Sequence, residues 1–261
     1  MNLKNKVVIV TGSTSGIGFE IVKEVLSLGG KVMLHSSHRS EENAKKLVAE
    51  LGENTSYVCA DLAVFSDLEN IVTQTVKHFG KVDCLVNNAG VFPRNNIFEM
   101  DEEFYDYVMN INYKAPLFLC QAVVKEFQKQ KIKGSIVNVG SLNAYCGATD
   151  LLVYSSSKGA LMTMTKNLAD FLGEYSIRVN QLNVGWTHTD KEHEVQQAEG
   201  NPEDWHKRIP KVMAPRGTIL APDEIAKHVA FWLSDYSIPV TGAVYEVEQY
   251  PVLGRIKQWF D

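Results

Sequence analysis

No stretch of this chain reaches the ~20 consecutive apolar residues of a membrane span, and its start, Met1-Asn-Leu-Lys-Asn-Lys6, lacks the apolar core of a secretory signal. Basic residues are not in excess: 26 Lys and Arg against 31 Asp and Glu leave a formal charge of -5, which argues against a general affinity for nucleic acid. Any anionic ligand must be held locally. Cysteine is sparse, with Cys59, Cys84, Cys120 and Cys146 far apart and without metal-type pairing, the usage of a reduced intracellular protein. His188, His193 and His206 lack the paired spacing of a zinc site, so no metal is assigned. Linkers, low-complexity tracts and repeats are absent too. These absences point to a cytoplasmic protein whose partners are small molecules. Residues 1–261, 45% hydrophobic and 22% charged, read as one domain long enough to bury a full core.

What is present alternates strand and helix. Val7 to Val10 is a β-branched run suited to a strand buried on both faces, and it ends in Thr11-Gly-Ser-Thr-Ser-Gly-Ile-Gly18. Ile21, Val22, Val25, Leu26 and Leu28 follow at helical spacing until Gly29-Gly30, and Lys31 to Leu34 begins a second strand. Glycines at such a turn let the backbone approach a pyrophosphate, while the helix N-terminus offers unpaired N–H groups. Their spacing, Gly12, Gly16 and Gly18, is G-x-x-x-G-x-G and not the commoner G-x-G-x-x-G. An acid after the second strand would bind free ribose hydroxyls and repel a 2′-phosphate. This chain has Ser36-Ser37-His38-Arg39 instead. The balance favours NADP(H) and leaves NAD(H) open, since Arg39 fits equally a solvated residue opening the next helix.

Further along, a charged helix is predicted from Glu41 to Leu51, a third strand over 57–60 ending in Asp61-Leu62, and a helix opened by a capping-box pattern at Ser66 to Glu69. Val82 to Val86 is a fourth strand running into Asn87-Asn-Ala-Gly90, residues that suit a ribose contact or a backbone clamp. A long helical region from Asp101 to about Gln130, bent near Pro116, contains Asn112, which its spacing does not mark as catalytic. A fifth strand over 134–139 leads to Ser141, at the strand end where open α/β sheets place ligands. A sixth strand is expected over 177–182, a helix from Pro222 and a seventh strand over 240–247.

Between the fifth and sixth strands lies Tyr154-Ser-Ser-Ser-Lys158, whose phenol and amine project from one helix face a turn apart. A phenol with a pKa near ~10 is a poor base at neutral pH, and a neighbouring ammonium favours its phenolate. Taken alone the pair also fits ordinary helix surface.

In this order, Thr11-Gly-x-x-x-Gly-x-Gly18, Asp61, Asn87-Asn-Ala-Gly90, Asn112, Ser141, Tyr154-x-x-x-Lys158 and Thr189 resemble the short-chain dehydrogenase/reductase family over nearly the whole chain. The resemblance implies a Rossmann-type doubly wound α/β domain, a seven-stranded parallel sheet with helices on both faces, and hydride transfer between a nicotinamide and a carbonyl or alcohol carbon. It assigns Tyr154 as general acid/base, Ser141 to the substrate oxygen, Lys158 to the nicotinamide ribose and to lowering the tyrosine's pKa, and Asn112 to a relay water. The turn with Gly12, Ser15, Gly16, Ile17 and Gly18 would hold the cofactor, joined by Ser37, His38 and Arg39, by Asp61 and Leu62 at adenine, and by Asn88, Ala89 and Gly90 at the adenosine ribose. Gly185, Thr187 and Thr189 would meet the nicotinamide end. A homo-oligomer, tetramer or dimer, is also implied.

Two departures from the family pattern stand out. Val184-Gly185 replaces the usual Pro-Gly, loosening a turn on the nicotinamide, and a longer aromatic tail from Glu248 to Asp261 replaces the acidic-Gly-Gly ending and could reach a neighbouring subunit's site. The polar segment 186–215 reads as a lid. Because it carries Glu192, Gln196 and ten further charged or polar side chains, a sugar, polyol or sugar acid is the expected substrate, with Ser141, Asn143, Arg94 and Trp186 at the pocket. Arg94 fits a substrate carboxylate or the surface. Two other functions stay open, a 3-oxoacyl thioester reductase, which requires basic surface at the pocket entrance, and a non-catalytic NADP-binding regulator.

Overall fold

Seven strands, β1 (Val7–Val10), β2 (Lys31–Ser36), β3 (Thr55–Cys59), β4 (Cys84–Asn87), β5 (Ser135–Ser141), β6 (Arg178–Val184) and β7 (Val244–Val247), form one parallel sheet in the order β3-β2-β1-β4-β5-β6-β7. They are seen in a computed structural model that describes residues 1–250. The continuous apolar run in β1 reflects burial on both faces. Val8 and Val10 point with Val32, Leu34, Val86 and Val137 toward helices α1 (Gly16–Ser27) and α8 (Pro222–Leu233), where they meet Ile21, Val25, Ile225 and Val229. Ile9 points the other way, with Met33, Leu85, Ile136 and Val179, toward α3 (Phe65–Phe79), α5 (Ala115–Gln130) and α6 (Leu152–Leu172). Helices α2 (Glu41–Leu51), α4 (Glu102–Met109) and α7 (Asp190–Ala198) complete the set. Strand order reverses between β1 and β4, so a crevice opens at their carboxyl ends, the place where such sheets bind ligands. Among the described residues no helix is long and apolar enough to cross a membrane.

Several local expectations shift. α3 starts at Phe65 after Val64, which makes no side-chain cap, and Asp67 accepts the backbone N–H of Asp61 at 2.9 Å instead of closing a capping box. The bend between α4 and α5 is not made by Pro116, which sits in the first turn of α5 where its missing N–H costs nothing. It is made by a π-helical segment, Asn110–Lys114. Such a bulge is rare in helices and is frequently found at functional sites. β7 begins at Val244 and not at 240, because residues 240 and 241 meet β6 through side chains: Asn180 Nδ2 donates to the Val240 carbonyl at 3.2 Å, and the Val179 N–H to Thr241 Oγ1 at 3.0 Å. At the start of the expected tail, Gln249 Nε2 donates to the Thr218 carbonyl (2.7 Å) and its Oε1 accepts the Arg216 N–H (3.0 Å), so this part folds back on its own chain. The rest of the tail, 251–261, lies outside the described residues.

Candidate active site

The glycine turn between β1 and α1 is held by the backbone. Gly12 has φ +60° and Gly16 φ +53°, a region unfavourable for side chains, and a Cβ on Gly12 would lie 2.9 Å from Ala89 Cα. Gly18 is packed as tightly, with a Cβ there only 2.6 Å from Asn88 Nδ2. Asn88 explains its motif: Nδ2 donates to the carbonyls of Thr11 (2.9 Å) and Gly12 (3.1 Å), while the backbone N–H groups of Asn88 and Ala89 both donate to Thr11 Oγ1 at 3.0 Å. Of the two roles open to this stretch, the amide is engaged as a clamp between strand ends. Ser15, before α1, makes no side-chain cap and no acid occupies the first turn. The helix therefore presents free N–H groups and an uncompensated dipole to the crevice, and bare glycine faces plus open N–H groups fit a dinucleotide pyrophosphate.

His35 on β2, which no motif marked, completes this turn. It is 3% exposed, and its Nδ1 accepts the Gly12 N–H at 3.0 Å, leaving Nε2–H to donate to the Ala60 carbonyl at 3.2 Å. One ring thus ties the ends of three strands. Burial pushes its pKa down to about 4, against smaller opposing effects of the Ala60 hydrogen bond and Asp61. Beyond the end of β2, Ser37, His38 and Arg39 are exposed, the last two on a short 3-10 turn, and no carboxylate stands among them. Asp61 is exposed, with Oδ1 accepting the Ala63 N–H at 2.9 Å, and Leu62 is buried beside it.

Across the crevice, Ser141 is the last residue of β5 and Tyr154 lies in the first turn of α6. Ser141 hydrogen-bonds the Tyr154 phenol. Lys158, one turn on and only 4% exposed, donates from Nζ to the Val139 carbonyl at 2.9 Å and lies 5.8 Å from the Tyr154 ring centroid. Burial pushes its pKa down to about 8. Burial likewise raises the Tyr154 pKa above the ordinary phenol value, the Ser141 hydrogen bond and Arg94 pull it back, and Glu192 pushes it up. The net direction is opposite to the lowering expected from Lys158, because desolvation of the phenolate outweighs its neighbours. Asn112, 1% exposed in the π-helical segment, brackets Val91: Oδ1 accepts its N–H and Nδ2 donates to its carbonyl, both at 2.8 Å, while Nδ2 also donates to Ser157 Oγ at 3.1 Å. Both amide hydrogens are engaged. Gly90 leaves the room this needs, since a Cβ there would lie 3.4 Å from both Asn112 Oδ1 and Lys158 Nζ.

A cavity of about 500 Å³ joins these groups. Its wall includes Ile17, Asn88, Gly90, Ser141, Tyr154, Lys158, Gly185, Thr187 and Thr189, with Arg94, Asn143 and Trp186. Gly12, Ser15, Gly16, Gly18, Asp61, Leu62, Ala89 and residues 37–39 are not in its wall, and Asn112 lies behind it. The Val184-Gly185 turn is held by the Gly185 N–H donating to the Val247 carbonyl at 3.0 Å.

A matching family model decides what this arrangement belongs to: that of the short chain dehydrogenases covers residues 6–200. The chain is a member of the short-chain dehydrogenase family. Over its length it is similar to an uncharacterised oxidoreductase of Thermotoga maritima (36% identity over 95% of this chain and 98% of that one). It is similar also to 2-dehydro-3-deoxy-D-gluconate 5-dehydrogenase of Dickeya dadantii (30%, 95% of each) and to L-rhamnose 1-dehydrogenase (NAD(P)(+)) of Azotobacter vinelandii (32%, 93% and 95%). Among solved structures, a 3-ketoacyl-(acyl-carrier-protein) reductase of Brucella melitensis complexed with NADH matches with TM-score 0.84 at 28% identity over 95% of this chain and 98% of that one. An actinorhodin polyketide ketoreductase with NADPH matches with TM-score 0.86 at 28% identity, over 93% and 95%. This short-chain dehydrogenase is an NAD(P)-dependent oxidoreductase.

In the dehydrogenase the segment 186–215 lines one side of the cavity through Trp186, Thr187, Thr189, Glu192, Gln196 and Met213, and it is not a featureless loop. Thr189 caps α7, its Oγ1 accepting the Glu192 N–H at 3.1 Å, and this turns Glu192 and Gln196 inward. The Glu192 carboxylate accepts from Trp186 Nε1 (2.8 Å) and Gln196 Nε2 (3.0 Å). Trp186 stacks on Trp205 at 5.3 Å, and with Ile209, Ala214 and Ile219 they form a small apolar core for the lid. The sequence marked this segment as polar and suited to a hydroxylated substrate, and did not show which of its side chains would face in. Arg94 is engaged already, its Nε 3.0 Å from Glu199 and 3.3 Å from Asp150.

Proposed function

We propose that this dehydrogenase transfers hydride between NADP(H) and a secondary alcohol or carbonyl carbon of a small neutral sugar or polyol. The observation that carries the substrate class is Glu192. A carboxylate fixed inside the cavity accepts hydrogen bonds from hydroxyls and repels substrate carboxylates and phosphates. Arg94 offers little in return, since Asp150 and Glu199 already neutralise it. The same carboxylates at the rim speak against an acidic acyl carrier, the requirement of the thioester alternative. Similarity to L-rhamnose 1-dehydrogenase supports a neutral sugar, whereas the gluconate named for the Dickeya dadantii relative carries the carboxylate that Glu192 would oppose.

When bound, the nicotinamide supplies or accepts the hydride. We assign Tyr154 to move the proton at the substrate oxygen: as a phenol it gives its hydrogen to a carbonyl oxygen receiving negative charge, and as a phenolate it takes one from an alcohol. Ser141 donates a second hydrogen bond to that oxygen and orients it. Lys158, with one donor on Val139, has others for the nicotinamide ribose. Asn112 positions Val91 and the strand end beneath Gly90, so a relay water would depend on the one remaining lone pair of its Oδ1. The NADP(H) preference rests on residues 36–39, where no acid opposes a 2′-phosphate and Arg39 forms no ion pair among the described residues. We also expect self-association, which sedimentation would measure.

The test is turnover of a panel of aldoses and polyols with NADP+ and with NAD+, with Tyr154→Phe as the inactive control. Neutral sugars should turn over best, with NADP+. Faster turnover of sugar acids or of acetoacetyl thioesters overturns the substrate class, and a preference for NAD+ overturns the cofactor assignment alone.

A further inference from the structure

Three histidines that are unremarkable in sequence converge on the lid. His188 follows the turn after β6 and is pinned by its N–H donating to the Leu220 carbonyl at 2.8 Å. His193 lies in the first turns of α7, and His206 sits on the 3-10 turn Trp205–Lys207, brought back by the stack of Trp205 on Trp186. One ring nitrogen from each lies within 4.8 Å of the other two. All three residues are partly buried, so the cluster is screened and yet reachable from solvent.

Two details suit these rings to a further bound group. His193 Nδ1 accepts the indole N–H of Trp205 at 3.1 Å, which puts the ring hydrogen on Nε2, and Nε2 lies 3.3 Å from a Glu203 carboxylate oxygen. A carboxylate that takes the far N–H of a histidine is the usual outer support of a metal-bound imidazole, fixing its tautomer and raising its basicity. The second is His206 Nδ1, which is buried and has no hydrogen-bond partner. Such an orphan costs free energy unless a further group satisfies it.

We propose that His188, His193 and His206 form a binding site for a borderline divalent cation of the zinc type, built into the segment that lines one side of the catalytic cavity. Three imidazoles are a donor set that zinc, cobalt, nickel and copper accept and that magnesium and calcium do not favour. Zinc bound to nitrogen at about 2.0–2.1 Å in a tetrahedron needs its ligand nitrogens about 3.3 Å apart. Closing from the present spacing requires the stacked rings of His188 and His206, 4.5 Å apart at 27°, to turn toward His193. Solvent completes the tetrahedron, since Glu203 is engaged on the far nitrogen of His193. A cation on His193 Nδ1 displaces the Trp205 indole N–H, so binding is coupled to the tryptophan pair that packs the lid. This site is independent of the substrate class argued above.

The test uses the full chain without a polyhistidine tag, freed of metal by chelation. Zinc is titrated by calorimetry while tryptophan emission and melting are followed, and cobalt absorption reports the ligand geometry. One equivalent per chain should bind, shift the emission and raise Tm. His206→Ala and His188→Gln should weaken binding at least about tenfold, with circular dichroism showing that both variants are folded. Absence of stoichiometric binding overturns the proposal, as does binding that either folded variant leaves unchanged or that moves neither emission nor melting.

Discussion

The glycine turn at residues 11–18 and the lid at 186–215 face the same crevice, but they are held by different kinds of bond. In the turn, Thr11, Asn88 and His35 grip main-chain groups, and the glycines are required by backbone conformation and close approach. In the lid, side chains hold side chains: Trp186 to Glu192, Glu192 to Gln196, Trp205 to His193 and Arg94 to Glu199. A backbone-held turn admits few residue types and so leaves a recognisable motif. A side-chain network has many chemical solutions, so its pattern varies with the ligand. The comparison predicts that changes in the turn cost stability and cofactor affinity, whereas changes in the lid leave both and alter substrate use.

Tyr154 stands where the two regions meet, and its loss should have the largest effect. Tyr154→Phe should lower kcat by about 10³-fold while cofactor affinity, read from tryptophan-to-nicotinamide energy transfer, stays close to that of the parent. Residual turnover near the parent's would move the proton-transfer role elsewhere.

The turn can next be probed through pH. His35 has a folded pKa near 4, below the ordinary 6.5, so the unfolded chain binds its proton more readily. Its contribution is present above pH 6.5 and lost as pH falls through about 4, on the order of 3 kcal/mol in all. Urea denaturation across this range should show that slope, and His35→Gln should remove its share. An unchanged slope in the variant would separate His35 from the acid sensitivity.

Gly18→Ala should cost about 1–3 kcal/mol, because the new methyl meets Asn88 and the carbonyl of Gly12. Weakened cofactor binding and a lower Tm are the readouts, and tolerance of the methyl would mean that the clamp yields more easily than its hydrogen bonds suggest. The smallest effect belongs to the edge of the lid, where Arg94 from the loop after β4 holds Glu199. Arg94→Met breaks a partly exposed ion-pair cluster, so stability should change by less than about 1 kcal/mol while KM for the substrate shifts. A large drop in Tm would erase the proposed difference between the regions.

Much of the crevice was legible before folding. β1, the turn, the strand end at Asn87 to Gly90, and Tyr154 with Lys158 are local patterns with fixed spacing, and each is found at the crevice or its supports. Asn112 was harder to read, since its π-helical setting depends on how α4 meets α5 and on Val91 lying alongside. A buried polar chain escaped notice for a related reason: Asn87 Nδ2 donates to Asn138, Asn138 Nδ2 to Thr165, and Thr165 Oγ1 to Gln181 beneath the active site. These residues are distant in sequence and become neighbours only through strand register and the packing of α6 on the sheet.

By itself the sequence determined the alternation of strands and helices, the glycine turn and the order of the reactive side chains, because these depend on relations between residues within one or two turns. Tertiary structure alone decided that His35 is neutral and bonded to Gly12, that burial raises Tyr154, that Glu192 faces the cavity and that three histidines meet. Each of these depends on which distant segments exclude water from a group or bring it a partner. Local spacing does not encode that information.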